Sequence, residues 1–300
     1  MSILINTQTR VLIQGITGKE GSRAARSMCA YGTDVAAGVT PGKGGLEVDG
    51  KPVFNSIKEA LDVIPGITAT MISVPPNAAK NAILEAIQHS IPLITILTER
   101  IPIQDTAFCL AAAREKNITI IGPSSLGVLS PGAGRIGIIG GEQVGEIFTP
   151  GSIGIISRSG GMTNELSWCV RQAGLGQSTV VHVGGDLLLG TSYADLLLLF
   201  EEDSDTRAVI VFGEHGGSYE FEIIPLIEEK KFTKPLAVYV GGKFASTLPE
   251  GLNIGHAGAI IARGSSAQEK ESALRETGVM IAERPENLIG LVKNCLLETC

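Results

Sequence analysis

Aromatic side chains are scarce in this chain: one Trp, four Tyr and eight Phe among 300 residues. A surface that stacks single-stranded nucleic acid bases needs such rings, so their shortage argues against that role. An excess of positive charge is also missing. The formal net charge is -7, which argues against nucleic acid as the main partner and leaves room only for a local basic pocket around a phosphorylated ligand. No apolar run reaches the ~18 residues of a membrane span. The opening MSILINTQTR has no basic region followed by an apolar stretch, so no secretory signal, no membrane partner and a cytoplasmic location are expected. The five Cys, at 29, 109, 169, 295 and 300, form no CxxC or CxxH pair. A scattered, odd set reads as reduced thiols, buried fillers with one reactive Cys as the open alternative. No metal-ligand set is expected on this chain, and there is no short repeat or low-complexity segment.

Glycine, by contrast, is abundant, at 38 residues, beside a hydrophobic fraction of 44% and a charged fraction of 18%. These values suit an α/β protein with strands buried on both faces and many tight strand-to-helix turns. The length suits two domains. Short apolar runs predict strands over 10–16, 34–39, 68–74, 93–97 and 118–121, with helices over 20–30, 57–63, 76–88 and 103–116 between them. Such alternation implies a parallel, doubly wound sheet. A Gly/Pro-rich stretch without helical period follows, and residues 123–150 read as a linker between a domain over 1–122 and a domain over 151–300. Alternation then resumes. Strands are predicted over 152–157, 178–183, 208–212 and 235–240, and helices over 162–173, 192–201, 219–229, 266–277 and 285–297.

Three loops suit anions. Gly15-Ile16-Thr17-Gly18-Lys19-Glu20-Gly21 joins the first strand to its helix. Its small residues let the backbone approach a phosphate, and the helix start offers free N–H groups and the positive dipole end. The GxTGxxG spacing is only loosely Rossmann-like, and a plain tight turn is the bland alternative. Val39-Thr40-Pro41-Gly42-Lys43-Gly44-Gly45 follows the second strand. A dinucleotide-binding domain places a ribose-binding acid there. Lys43 in a Gly-rich loop suits a phosphate-bearing ligand such as CoA instead of NAD, or is simply solvated. Ser157-Arg158-Ser159-Gly160-Gly161-Met162-Thr163-Asn164-Glu165 ends the first strand of the second half. It offers a phosphate or carboxylate site over Ser159, Gly160, Gly161, Met162 and Thr163, or an ordinary N-cap at Ser159 or Thr163.

Four His are present. His89 ends a helix and reads as exposed, and His182 in an apolar strand reads as structural. His215 follows Gly213-Glu214 and borders that loop. His256 stands in Gly255-His256-Ala257-Gly258-Ala259, where small flanks let two bulky reactants approach the imidazole.

The order of segments resembles one family. GITGKEG, GVTPGKGG, PVFNSIKEA, a VPP segment, TE-x-IP, IGP, SRSGGMTNE, VGGD, GEHGGS, TKP and GHAGAIIA run as in the succinyl-CoA synthetase alpha subunits, from Ser2 to about Ala282. The resemblance implies an N-terminal Rossmann-like CoA-binding domain and a C-terminal flavodoxin-like ligase domain. It implies CoA contacts from Thr17, Gly18, Lys19, Glu20, Gly21, Lys43, the Val74-Pro75-Pro76 turn and Thr98-Glu99. It matches His256 to the family's phosphorylated histidine and Glu214 to the acid that hydrogen-bonds it. A partner beta subunit of ATP-grasp fold would supply ATP or GTP and Mg²⁺.

Departures bear on the substrate. The succinate enzymes read GPNCPG where this chain has Gly122-Pro123-Ser124-Ser125-Leu126-Gly127, and SRSGTLTYE where it has SRSGGMTNE. Their basic run before GHAGA is absent, and GEIGG has become GEHGG. SRSGGM-x-NE, with Arg135-Ile136-Gly137 followed by Gly140-Gly141, is similar to ATP-citrate lyase and citryl-CoA synthetase. Gly161 in place of Thr makes room for a larger acid. Succinate leads as the family's commonest substrate, with citrate, malate or another hydroxylated acid beside it. An NAD(P)-dependent oxidoreductase is disfavoured by Lys43 and by the missing GxGxxG. A non-catalytic CoA-binding homologue is disfavoured by the retention of His256 and Glu214.

Overall fold

The computed structural model describes residues 2–253, 255–260, 262 and 264–298. Its first half runs β1 (Arg10–Gln14), α1 (Lys19–Ala30), β2 (Asp34–Val39), β3 (Glu47–Val48), β4 (Lys51–Phe54), α2 (Ile57–Val63), β5 (Ala69–Ile72), α3 (Pro76–Gln88), β6 (Leu93–Ile96), α4 (Ile103–Glu115) and β7 (Thr119–Ile121). The strands lie in the order β3-β4-β2-β1-β5-β6-β7. Only β3 runs antiparallel, hydrogen-bonded to β4. Setting it aside, the parallel strands follow the 3-2-1-4-5-6 order of a Rossmann sheet. Continuous burial explains why the central strands are apolar runs and not alternating ones: Val11, Leu12 and Ile13 are 0% exposed. Each such residue contributes roughly 1.5–3 kcal/mol on burial.

Helix ends agree with local chemistry. Ser56 caps α2 by accepting from the Glu59 N–H, and Pro76 opens α3, where a missing N–H costs nothing.

The second half runs β8 (Gly127–Ser130), β9 (Gly134–Gly137), α5 (Val144–Ile147), β10 (Pro150–Ser157), α6 (Gly160–Gln172), β11 (Gln177–His182), α7 (Tyr193–Glu202), β12 (Ala208–Glu214), α8 (Ile223–Glu228), β13 (Leu236–Gly241), α9 (Ala267–Glu276), β14 (Met280–Ile281) and α10 (Asn287–Glu298). The strand order is β14-β13-β12-β10-β11-β8-β9. The parallel strands β10 to β14 follow the flavodoxin-like order 2-1-3-4-5. Capping boxes start α7 at Ser192/Asp195 and α9 at Ser266/Glu269.

Residues 123–150, expected as a linker, instead contain the hairpin β8–β9, which pairs antiparallel with β11 and extends the second sheet. All eight hairpin residues are buried, so no polar–apolar alternation marks them as strands. The hairpin also ties the halves together: the Thr33 hydroxyl donates to the Arg135 carbonyl and accepts from the Arg135 N–H, both at 2.9 Å. The helix expected over 219–229 divides into a 3-10 turn, Tyr219–Glu222, and α8.

Candidate functional site

In a doubly wound sheet, ligands gather where the strand order reverses, beyond the carboxyl ends of the strands. In the first sheet that point lies between β1 and β5. A cavity of about 380 Å³ opens there, lined among others by Gly15, Thr17, Gly18, Pro41, Val74 and Pro75. Gly15 has φ +88°, and a Cβ on it would strike the Ser73 carbonyl, so the turn admits only glycine. Lys43 reaches this turn, its Nζ donating to the Thr17 hydroxyl at 3.3 Å. A second cavity, of about 490 Å³, shares Gly18, Ser73 and Val74 with the first and adds Lys19, Glu20, Thr98, Glu99 and Leu126. An elongated ligand can therefore lie across Gly18 and Val74 from one to the other.

Two residues expected in this group also serve the protein itself. Thr98 donates its hydroxyl to the Val74 carbonyl at 2.8 Å and accepts from the Val74 N–H at 3.2 Å, fixing the turn. Gly21 is buried beneath Gly15 and lines neither cavity.

In the second sheet the order reverses between β10 and β12, whose ends carry Arg158 and Glu214. Arg158 is fully buried. Its Nε lies 2.9 Å from Glu214 Oε1, its Nη2 donates to the Asp186 carbonyl at 2.6 Å, and its guanidinium stacks 5.5 Å over the Tyr219 ring. The other carboxylate oxygen, Oε2, lies 2.8 Å from His256 Nδ1. Glu214 thus bridges a permanent cation and an imidazole. The hydrogen bond from Glu214 raises the His256 pKa above its ordinary value, against the lowering effect of burial. Glu99 also raises it through its charge. Gly185 makes the approach possible, since a Cβ there would stand 2.8 Å from His256 Cδ2. The loop is held by Asn253 Nδ2, which donates to the carbonyls of His256 and Ala257 at 2.8 and 3.1 Å.

Beneath Glu214 lies a buried pair missed in the sequence. Lys270 and Glu220 are both fully buried and 2.5 Å apart. The Lys270 ammonium also donates to the carbonyls of Glu214 and Gly216, at 2.8 and 2.6 Å, which uses all three of its donors. Glu220 Oε1 accepts from the Glu214 N–H at 3.0 Å. The pair therefore locks the Glu214 backbone. Arg158 lies inside the Ser157–Glu165 loop that the sequence marks, but its role there was not legible. Lys270, on an amphipathic helix 56 residues from Glu214, gave no signal.

The other histidines divide as their surroundings dictate. His182 is buried, accepting at Nδ1 from the Leu126 N–H at 2.7 Å and donating from Nε2 to the Arg158 carbonyl at 3.0 Å. Burial pushes its pKa down to about 4. His215 is buried beside the His256 loop, with Nε2 3.2 Å from the Ala259 carbonyl. His89 is half-buried instead of exposed.

The α6 start divides too. Ser159 is the N-cap, its hydroxyl accepting from the Met162 N–H. Thr163 is fully buried and donates to the Ser159 carbonyl at 2.8 Å, so it serves the helix. Met162 is half-buried against the core. Gly160 and Gly161 are left with N–H groups at the helix start, and a Cβ at Gly161 would meet nothing within 4 Å. Burial raises the Cys109 thiol to about 11, which suits a filler. Cys300 lies outside the described residues.

The chain is 43% identical over 96% of its length to the succinate–CoA ligase [ADP-forming] subunit alpha of Aquifex aeolicus, of which it covers 92%. The chain belongs to the alpha-subunit family of NDP-forming acid–CoA ligases. Residues 6–100 of this acid–CoA ligase alpha subunit match the CoA binding domain family and residues 156–280 the CoA-ligase family. The first half is thus a CoA-binding domain and the second a ligase domain. The malate–CoA ligase subunit alpha of Methylorubrum extorquens is 42% identical, with 99% of each chain covered. Among solved structures, ATP citrate lyase from Methanothrix soehngenii in complex with citrate and coenzyme A superposes with a TM-score of 0.91 at 26% identity. That match covers 99% of this chain and 51% of the other, so the alpha subunit spans about half of that protein. No helix among the described residues is long and apolar enough to cross a membrane.

Proposed function

We propose that His256 carries a phosphoryl group from a nucleoside triphosphate to a small carboxylic acid, which is then joined to CoA. The observation that carries this reading is the placement of Glu214 between Arg158 and His256. Glu214 accepts the Nδ1 proton and so presents the Nε2 lone pair as the nucleophile. Attack on the γ-phosphorus forms an N–P bond and releases the diphosphate. The ring becomes cationic, and the carboxylate stabilises that charge, as the acid of a catalytic triad does. Arg158, 2.9 Å from the other carboxylate oxygen, keeps Glu214 aimed at the ring. The free N–H groups of Gly160 and Gly161, at the positive end of α6, suit the dianionic phosphoryl group or the substrate carboxylate. The acid takes the phosphoryl group as an acyl phosphate. The reaction needs positioning and charge stabilisation, not another protein nucleophile.

CoA supplies the thiol that receives the acyl group. The residues proposed to hold it are Thr17, Gly18, Lys19, Glu20, Lys43, Val74, Pro75 and Glu99. The two joined cavities fit an elongated ligand, and Lys43 with the α1 start fits its phosphates. A partner subunit of ATP-grasp fold is proposed to hold ATP or GTP with Mg²⁺.

Succinate is the proposed acid, giving succinyl-CoA, nucleoside diphosphate and phosphate. Citrate or malate is the second reading, favoured by the open space at Gly161. The test is the chain reconstituted with its partner subunit, assayed with succinate, citrate and malate. Thioester formation with succinate at the highest kcat/KM supports the first reading, and preference for citrate or malate replaces it with the second. No turnover with any carboxylic acid contradicts both.

A further inference from the structure

A third cavity, of about 590 Å³, shares only Ile138 with the cavity that holds Glu99. It lies where α1 of the CoA-binding domain meets the chain after β9. Three arginines line it, Arg23, Arg26 and Arg135, with Tyr31, Ser27 and a single acid, Glu142.

Arg135 is the unusual member. It is 1% exposed, and its Nη1 donates to the Gly141 carbonyl at 3.0 Å. Its Nε and Nη2 are buried without a hydrogen-bond partner. No carboxylate pairs with it among the described residues. Burial lowers its pKa to about 10, so it stays charged at neutral pH. A buried, charged donor with unused N–H groups is costly unless an acceptor is brought to it. Burial and the bond from Nη1 to the Gly141 carbonyl already hold the guanidinium, so it does not need to be ordered on binding. Arg23 and Arg26 are exposed, and their pairs with Glu20 at 3.8 Å and Asp49 at 3.0 Å are of the weak surface kind. Both side chains can turn to a better acceptor.

We propose that this cavity binds a compact polyanion, a phosphate ester or a polycarboxylate, with Arg135 as its buried anchor and Arg23 and Arg26 as outer clamps. Planar guanidinium groups match the paired oxygens of phosphate and carboxylate. The site is separate from the acid and CoA sites proposed above, and its existence does not depend on them.

The test is calorimetric titration of the full chain, saturated with CoA, using pyrophosphate in one arm and citrate in the other. At least one probe binds, and which one binds identifies the class. Arg23→Ala and Arg135→Met each weaken binding about tenfold, the loss expected for one charge-assisted hydrogen bond. Lys43→Ala leaves it unchanged. The same probe raises the Tm of the wild type more than that of Arg135→Met. If Arg135→Met does not fold, Arg23→Ala alone decides. The proposal is overturned if neither probe binds, if binding survives the arginine changes, or if it is lost in Lys43→Ala. It is also overturned if adding the partner subunit abolishes binding, which would assign the cavity to a partner carboxylate.

Discussion

The Glu214 carboxylate meets His256 only at Nδ1, 2.8 Å away, and leaves Nε2 without a hydrogen-bond partner among the described residues. One contact therefore sets both the tautomer and the reactive edge of the ring. The same contact raises the imidazole pKa, so the neutral, nucleophilic form is gained only as pH rises through that raised value.

That relation fixes a pH profile. Phosphorylation of His256 increases with pH through its raised pKa and then levels off. Glu214→Gln removes the cause of the shift, moves the acid limb to lower pH and slows phosphorylation by about 10²–10⁴-fold. Single-turnover phosphorylation measured against pH checks this. An unchanged acid limb in the variant contradicts the tautomer role. For stability the sign is the usual one for a raised histidine. The His256–Glu214 contribution is fully present below the unfolded pKa and is lost as pH rises through the folded one.

His182 behaves in the opposite way. Its folded pKa, about 4, lies below the unfolded value, so the unfolded chain takes up the proton first. The ligase domain is expected to lose on the order of 3 kcal/mol as pH falls through the window between the unfolded value and the folded one. His182→Gln is less stable at neutral pH but loses this slope. Urea titrations across that window measure it, and an equal slope in the variant would assign the acid sensitivity elsewhere.

Removing one partner of the Lys270–Glu220 pair leaves the other charge buried. Lys270→Met is therefore expected to cost about 3–5 kcal/mol and to loosen the Glu214 backbone. Denaturant midpoints give the first effect. A loss below about 1 kcal/mol would contradict a buried pair whose partners depend on each other.

Lys43→Ala is expected to weaken CoA binding about tenfold, as the loss of one charged hydrogen bond does, and to leave His256 phosphorylation unchanged. Direct CoA titration beside a phosphorylation assay separates the two. Equal CoA affinity in variant and wild type removes Lys43 from the site.

Much of the fold was legible because buried parallel strands are written as apolar runs: β2 and α2 fall on the predicted residues, and most other elements within two residues at each end. The hairpin β8–β9 was not legible. Its glycines and a proline suggest a loop, and pairing with β11, about 50 residues away, is what makes it strand. The loops around Thr17, Lys43 and His256 stood out because small residues mark places where a backbone can be approached, whereas Glu214 was reached only through the family resemblance. Thr98 and Thr163 show what that reasoning leaves out: besides lying in the expected segments, their hydroxyls hold the turn at Val74 and the start of α6, and Gly21 is packed beneath Gly15. Arg158 and Lys270 owe their importance to burial, which composition along the chain does not express.

The most direct measurement is the fate of the label when the reconstituted pair meets γ-labelled nucleotide. The account predicts an acid-labile, base-stable phosphoryl group at His256 by mass spectrometry, discharged by the acid and CoA, and absent in His256→Ala, which still binds CoA but does not turn over. Turnover in that variant, or normal turnover of the wild type with position 256 never modified, would contradict it.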